Sequence, residues 1–209
     1  MLNIYHVPHT RSMRIIWLCE ELELPYEVTP VDFSKSFRAT PEWRKLNPVG
    51  KVPVLTDSDL VMFESGAMLH YILDRYGAGR LQPNHGSPEH AHFLQWSWFA
   101  EATFARPLGE IFNHRREFPG DQEIPAVIAE MQHRGRECLN AVDAHLEDCT
   151  YLLGSEFSGA DIMLGYSLYL ACLSGIFQGT EDSACTNAAG YWNRLENRPA
   201  FKAAQTYNN

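Results

Sequence analysis

Pro53 stands between Val52 and Val54 in the stretch NPVGKVPVL (residues 47–55), and no other feature of the sequence limits the fold as sharply. Proline has no N–H to give to a ladder, so a strand containing it lies at a sheet edge, bends at a bulge or turns through a cis bond. The segments around it supply the rest of a sheet. Leu2 to Val7 is a short β-type run, Tyr26 to Val31 reads as a second strand, and Val52 to Thr56 with Leu60 to Phe63 flank Asp57-Ser58-Asp59 as a hairpin. Between the first two, Ile15, Leu18, Cys19 and Leu22 fall at i, i+3, i+4 and i+7, the spacing of one helix face. After Glu64-Ser65-Gly66, apolar residues from Met68 to Tyr76 cover most of a helix circumference, which predicts a helix sandwiched between other elements. This order gives a small α/β domain with a mixed sheet over residues 1–78.

Residues 79–87 turn to Gly, Pro and polar types and read as a linker. Everything from 88 to 209 then follows helical periodicity. Trp96, Phe99, Ala100, Thr103 and Phe104 make one stripe, with Pro107 expected to kink or end that helix. Ile128, Met131, Gly135, Cys138, Val142 and Leu146 make a second, and Ile162, Gly165, Leu168, Tyr169 and Cys172 a third. A chain of 209 residues, 45% hydrophobic, is long enough for two modest cores. Its net charge of −9, with Lys and Arg scattered, argues against nucleic acid or an anionic membrane as partner.

The N-terminus MLNIYHVPHTRS lacks a basic segment followed by an apolar one, and no window approaches 18 apolar residues, so the chain reads as cytoplasmic. Five cysteines without a CxxC suit reduced, buried thiols. Metal and nucleotide chemistry find no support. His90 and His92 fall on different helix faces, and there is no HExxH or glycine-rich phosphate loop.

Four segments in order, RSMRIIWLCEELELPYE, NPVGKVPVL, FESGAMLHYI and FSGADIML, resemble the cytosolic glutathione transferase superfamily over essentially the whole chain, and the PHTRS turn resembles its bacterial serine-type members. The resemblance implies a thioredoxin-like α/β N-terminal domain followed by an all-α C-terminal domain. It also implies a cis bond before Pro53, with the Val52 N–H and C=O turned to the cysteinyl backbone of glutathione; without that ligand Pro53 is simply an edge-strand proline. Ser65, opening a helix after Glu64, suits the γ-glutamyl carboxylate through its N–H, its hydroxyl and the positive helix end, while Glu64 accepts from the ammonium. Lys51 reaches the glycyl carboxylate as a point charge, with Asn47 and His9 as weaker candidates for that end. The family also implies a homodimer, in which Glu101 matches a residue that touches the partner's glutathione, and no cofactor beyond glutathione as co-substrate.

Catalysis of this kind needs the thiolate. With an ordinary thiol pKa of ~8.5 roughly 3% is ionised at pH 7, and lowering it by about two units gives about three quarters, a gain of roughly 25-fold. The turn Pro8-His9-Thr10-Arg11-Ser12 opens the first helix and offers hydroxyls and free N–H groups to one spot. The family places the activating residue here or at the end of the first strand, which ranks Ser12, then Thr10, then Tyr5; Ser12 also reads as a plain helix cap, and Arg11 adds charge. No cysteine lies in the turn, which argues against mixed disulfides with the protein, and Cys19 reads as core. For a small hydrophobic electrophile, Phe104, Phe112, Arg115, Tyr166 and Tyr169 are candidate lining residues between the domains, each equally suited to a helical core. Ser158 and Asp161 form a capping box before an apolar run. The resulting expectation is a glutathione transferase, with peroxidase activity open to the same thiolate. The alternative is a non-catalytic glutathione-binding or regulatory protein of the same fold.

Overall fold

The computed structural model of the chain describes residues 1–208. Its first unit is built on β1 (Leu2–His6), α1 (Ser12–Leu22) and β2 (Tyr26–Pro30), with β1 and β2 parallel and Ile4 opposite Val28. Two short helices, α2 (Lys35–Arg38) and α3 (Pro41–Leu46), precede β3 (Val54–Asp57), β4 (Leu60–Phe63) and α4 (Ser65–Tyr76). The sheet order is β2-β1-β3-β4, with β3 antiparallel to both its neighbours. This is the mixed sheet expected. The strand after Pro53 begins two residues later than its pattern suggests, because Pro53 has no N–H for the ladder; it is joined to Val52 by a cis peptide bond just outside β3.

Helices α2 and α3 escaped the periodicity because neither is long enough to show a stripe. Side-chain caps start both: the Phe37 N–H donates to Ser34 Oγ at 3.2 Å, and the Trp43 N–H to Thr40 Oγ1 at 3.4 Å, with Pro41 in the first turn of α3. In β1 the side chains alternate, so that Leu2, Ile4 and His6 are buried while Asn3 and Tyr5 are half-buried on the opposite face. The alternation therefore sends a histidine into the core side of the sheet.

The second unit spans residues 82–197. It contains α5 (Pro88–Trp98), a π-helical segment (Phe99–Phe104), α6 (Ala105–Glu117), α7 (Pro125–His145), α8 (Gly159–Ser174) and α9 (Thr186–Glu196). Pro107 neither ends the helix nor stands at a simple kink. It withholds the N–H that Thr103 C=O would take, and the chain widens upstream, the Ala105 N–H donating to Ala100 C=O in π fashion. The Thr103 carbonyl that Pro107 deprives takes Cys138 Sγ at 3.8 Å, and Ser167 Oγ adds a second donor to Ala100 O at 2.8 Å. Helix α8 is buried around nearly its whole circumference. Its capping-box residue Asp161 accepts from Ser158 N–H, Ser158 Oγ, Leu152 N–H and Tyr191 O–H at 2.8–3.0 Å, a wholly structural assignment.

The last residues do not stay with the helices. Residues 198–208 cluster with the first unit, whereas the sequence reading takes everything from 88 onward as one all-helical domain. Within this tail α10 (Pro199–Gln205) buries Phe201 against Trp17 of α1, ring centroids 4.8 Å apart, and Arg198 forks onto the Glu21 carboxylate at 2.6 and 2.7 Å. No helix among the described residues is long and apolar enough to cross a membrane. Phe201→Ala removes a side chain that is 2% exposed, and we expect it to cost about 3–5 kcal/mol in denaturant unfolding. A loss under about 1 kcal/mol would mean the tail contributes little to the first unit.

Candidate active site

The register of the sheet brings three chain segments to one end. Tyr5 pairs with Val54 and Val54 with Phe63, so the end of β1, the start of β3 and the end of β4 lie side by side. The turn after β1, the Val52-Pro53 bond before β3 and the Glu64-Ser65 start of α4 therefore leave the sheet together. This is how residues separated by some fifty positions come to share a site.

In the turn, Ser12 is the first residue of α1 but caps nothing, since the cap position is Arg11 and no side chain bonds there. Ser12 is fully buried, and its Oγ lies 2.8 Å from His6 Nδ1 and 2.7 Å from Thr10 Oγ1. Thr10 is half-buried and its Oγ1 also lies 2.7 Å from the Val7 carbonyl oxygen. On the far side, His6 Nε2 lies 2.9 Å from the Tyr207 carbonyl. The His9 N–H donates to Asn208 Oδ1 at 2.8 Å, and Asn208 Nδ2 donates to Met13 Sδ at 3.3 Å. The tail thus holds both β1 and the turn. Tyr5 stands apart, on the other sheet face, with its ring edge-on to Trp43 at 5.7 Å.

At the start of α4, the first intrahelical bond runs from Met68 N–H to Glu64 C=O, which leaves the earlier N–H groups directed out of the helix end. Ser65 is buried, and its Oγ accepts from Arg14 Nη1 at 3.1 Å. Arg14 is itself fully buried, and a guanidinium keeps its proton in such a place, so a fixed positive charge sits behind the helix end. Glu64 is exposed with φ of 77°, an uncommon backbone for a residue with a side chain.

Between α3 and β3, Asn47 is buried and organises the loop: its Nδ2 donates to Lys51 C=O at 2.9 Å and its Oδ1 accepts from Val49 N–H at 3.0 Å. Gly50 has φ of +66°, and a Cβ there would meet the Arg38 carbonyl at 2.6 Å, so only glycine fits. The N–H and C=O of Val52 take no hydrogen bond among the described residues, while the Lys51 side chain is exposed beside them.

Profiles of the glutathione S-transferase N-terminal and C-terminal domains match residues 2–74 and 112–199. Glutathione S-transferase 4 of Zea mays is 31% identical over 205 residues, covering 92% of this chain and 86% of its own. The chain belongs to the glutathione S-transferase family. Disulfide-bond oxidoreductase YfcG of Escherichia coli (strain K12) is 29% identical over 211 residues, spanning 96% of this chain and 92% of its own. In fold, the chain matches a glutathione transferase of Phanerochaete chrysosporium solved in complex with oxidized glutathione, with a TM-score of 0.89 at 23% identity, covering 99% and 96% of the two chains.

For a glutathione S-transferase, the sequence reading overlooked His6, Arg14, Tyr207 and Asn208. His6 and Arg14 carried a signal: each is a polar residue inside an apolar pattern, one on the buried face of β1 and one in the run MRIIWL. In the helical unit Phe104 and Tyr166 are core, 0% and 2% exposed, and Tyr169 is buried beside Tyr166, so none of the three lines an open surface. Phe112 is half-buried, Arg115 pairs with Glu123 at 3.2 Å, and Glu101 lies in the π segment. A groove of about 440 Å³ in this unit is lined by other residues, among them Phe99, Thr103, Arg106, Met131 and Arg134.

All five cysteines are free thiols, and burial pushes Cys19, on α1, up to about 12. No group of three or more His, Cys, Asp or Glu side chains among the described residues comes together to hold a metal.

Burial also holds the His6 imidazole below its ordinary value of 6.5, against the opposing hydrogen bond to Tyr207 C=O. The unfolded chain then binds the proton more readily than the native one. The resulting stability is complete above pH ~6.5 and is lost as pH falls through the lower native value. Urea midpoints measured between about pH 5 and 8 should show this drop, and His6→Gln should remove that part of it. Identical pH dependence in the two proteins would mean that His6 charges without cost in the fold.

Proposed function

We propose that this protein binds glutathione at the shared end of its sheet, lowers the pKa of the thiol and transfers the thiolate to a small hydrophobic electrophile. The observation that carries the reading is the half-buried Thr10 hydroxyl at the opening of α1, backed by buried Ser12. Thr10 is then the donor to sulfur, aided by the N-terminal end of α1, and Ser12 orients it. That reverses the order in which the sequence ranks them, since Ser12 has no exposed surface from which to reach a ligand.

The remaining contacts follow from the chemistry of the tripeptide. The unbonded N–H and C=O of Val52, with Pro53 behind it, pair with the cysteinyl backbone. Ser65, the α4 N-terminus and the buried Arg14 charge hold the γ-glutamyl carboxylate, with Glu64 on the ammonium and Lys51 on the glycyl carboxylate. For the electrophile, Phe112 and Arg115 remain the candidate contacts. Reduction of organic hydroperoxides by the same thiolate belongs to this reading, as do a homodimer and a cytoplasmic setting.

A second reading has support in the similarity to a disulfide-bond oxidoreductase. Here the bound thiolate attacks a disulfide, forming one new S–S bond and expelling the other sulfur as a thiolate. The glutathione sulfur itself is the nucleophile, so no protein cysteine is needed.

The test is the ultraviolet thiolate absorbance of bound glutathione against pH, with turnover of an aryl halide and of a small disulfide measured alongside. Thr10→Val should lower kcat by on the order of 10²-fold and return the thiol towards its ordinary pKa, while Tyr5→Phe changes neither. Glutathione bound with an unshifted thiol would identify a carrier or regulatory protein, and absence of binding would sink the proposal.

A further inference from the structure

Four short contacts link the Tyr207 carbonyl to the Val7 carbonyl in series: Tyr207 O to His6 Nε2 at 2.9 Å, His6 Nδ1 to Ser12 Oγ at 2.8 Å, Ser12 Oγ to Thr10 Oγ1 at 2.7 Å, and Thr10 Oγ1 to Val7 O at 2.7 Å. Both ends are carbonyl oxygens, which only accept. Each link needs its own proton, so the series needs four. A neutral imidazole and two hydroxyls hold three. The series is one proton short, and only the imidazolium form of His6 completes it.

We infer that His6 is the proton acceptor for the glutathione thiol, reached through Ser12 and Thr10, and that the tail carbonyl of Tyr207 positions it for this task. The inference rests on the reading above that a thiol binds beside Thr10. In the resting protein the Tyr207 carbonyl requires the hydrogen of His6 on Nε2, which leaves Nδ1 bare to accept from Ser12 Oγ; Ser12 in turn accepts from Thr10, and the link from Thr10 to the Val7 carbonyl is the one left without a proton. Thr10 Oγ1 then presents a lone pair outward. When a thiol arrives, its S–H bond breaks and the electron pair stays on sulfur. Its proton passes to Thr10 Oγ1 as the Thr10 proton passes to Ser12 Oγ and the Ser12 proton to His6 Nδ1. Every hydroxyl is reversed by the transfer, so the Thr10 hydrogen leaves Ser12 and lies between the Val7 carbonyl and the thiolate, which share it. After sulfur attacks the electrophile, the imidazolium proton leaves with the anion that the attack produces, either an added carbanion or a departing group.

The burial that lowers the affinity of His6 for a proton keeps it neutral at rest, as an acceptor must be. The titratable groups facing it are His9 from the turn, Tyr207 from the tail with ring centroids 6.2 Å apart, and beyond it Tyr26 of β2, which is hydrogen-bonded to Glu20. His6 touches no substrate atom in this scheme and is a positioning and proton-holding residue.

The experiment counts protons and thiolates separately on the full chain near pH 7. Ultraviolet absorbance gives thiolate formed per site, and calorimetry in two buffers of different ionisation enthalpy gives protons released on binding glutathione. The unmodified protein should release clearly fewer protons than it forms thiolates, with the His6 ring resonance moving to its imidazolium position. His6→Gln, which keeps a donor and an acceptor but cannot take a proton, should restore one proton released per thiolate, and so should Ser12→Ala. One proton per thiolate in the unmodified protein would overturn the relay and leave the functional reading intact. No thiolate at all would overturn both. The ratio is read first on the unmodified protein, so the test does not depend on either variant folding.

Discussion

The carbonyl of Tyr207 against His6 is the contact on which the site depends. A carbonyl can only accept, so it dictates which ring nitrogen carries hydrogen and thereby makes the neutral ring an acceptor for the Ser12 hydroxyl. The contact survives only if the tail is held in place, and the holding is distributed. Phe201 packs on Trp17, Arg198 forks onto Glu21, and Asn208 ties the His9 backbone to Met13. These are apolar burial, a charge-assisted pair and amide hydrogen bonds, all converging on α1 and the turn before it. The helix that opens the site is thus clamped along its length by a segment nearly two hundred residues away in sequence.

Electrostatics explain why a buried cation belongs here. The chain carries a net charge of −9, and glutathione brings two carboxylates, so the overall field opposes binding. A local field of opposite sign must overcome it at short range. In the proposed binding mode the N-terminus of α4 supplies part of one, and Arg14 behind Ser65 adds positive charge that solvent screens little because the side chain is buried. Arg14 stands on α1, whose own N-terminus faces the sulfur position. In the proposed binding mode one helix therefore serves both ends of the tripeptide, through its start and through its first buried cation.

Elements that satisfy their own backbone and show one period were legible in the sequence: β1, β2, the hairpin, α1, α4 and the capping box of α8. What was not legible needed a partner from elsewhere. Pro107 announces a disturbance, but whether the chain breaks or widens depends on Cys138 reaching the carbonyl that it frees and on Ser167 bracing the widened turn at Ala100. The tail carries an i, i+3 apolar pair, Phe201 and Ala204, and nothing local says which unit that pair will cover. In the site, the residue types of the PHTRS turn indicated hydroxyl chemistry, yet they did not say that Ser12 is buried while Thr10 keeps exposed surface. Position in a turn does not tell which hydroxyl faces the solvent; packing against His6 does. His6 and Arg14 were visible as polar interruptions of apolar patterns, and such an interruption implies a buried partner without naming it.

Cys19 shows how local the activation is. It lies on α1, the helix whose start is proposed to lower the glutathione thiol, yet its own thiol is pushed up to about 12. The two sulfur positions share a helix and differ in everything that sets a pKa. At the opening turn there are the positive end of the helix and two hydroxyls able to turn toward charge. Two turns inside there are apolar neighbours, satisfied backbone and no dipole free to reorient. The same fold that is proposed to make an external thiol reactive therefore keeps its own thiol inert. A transferase that borrows its nucleophile needs both conditions, because a reactive protein thiol beside bound electrophile would be consumed by the substrate.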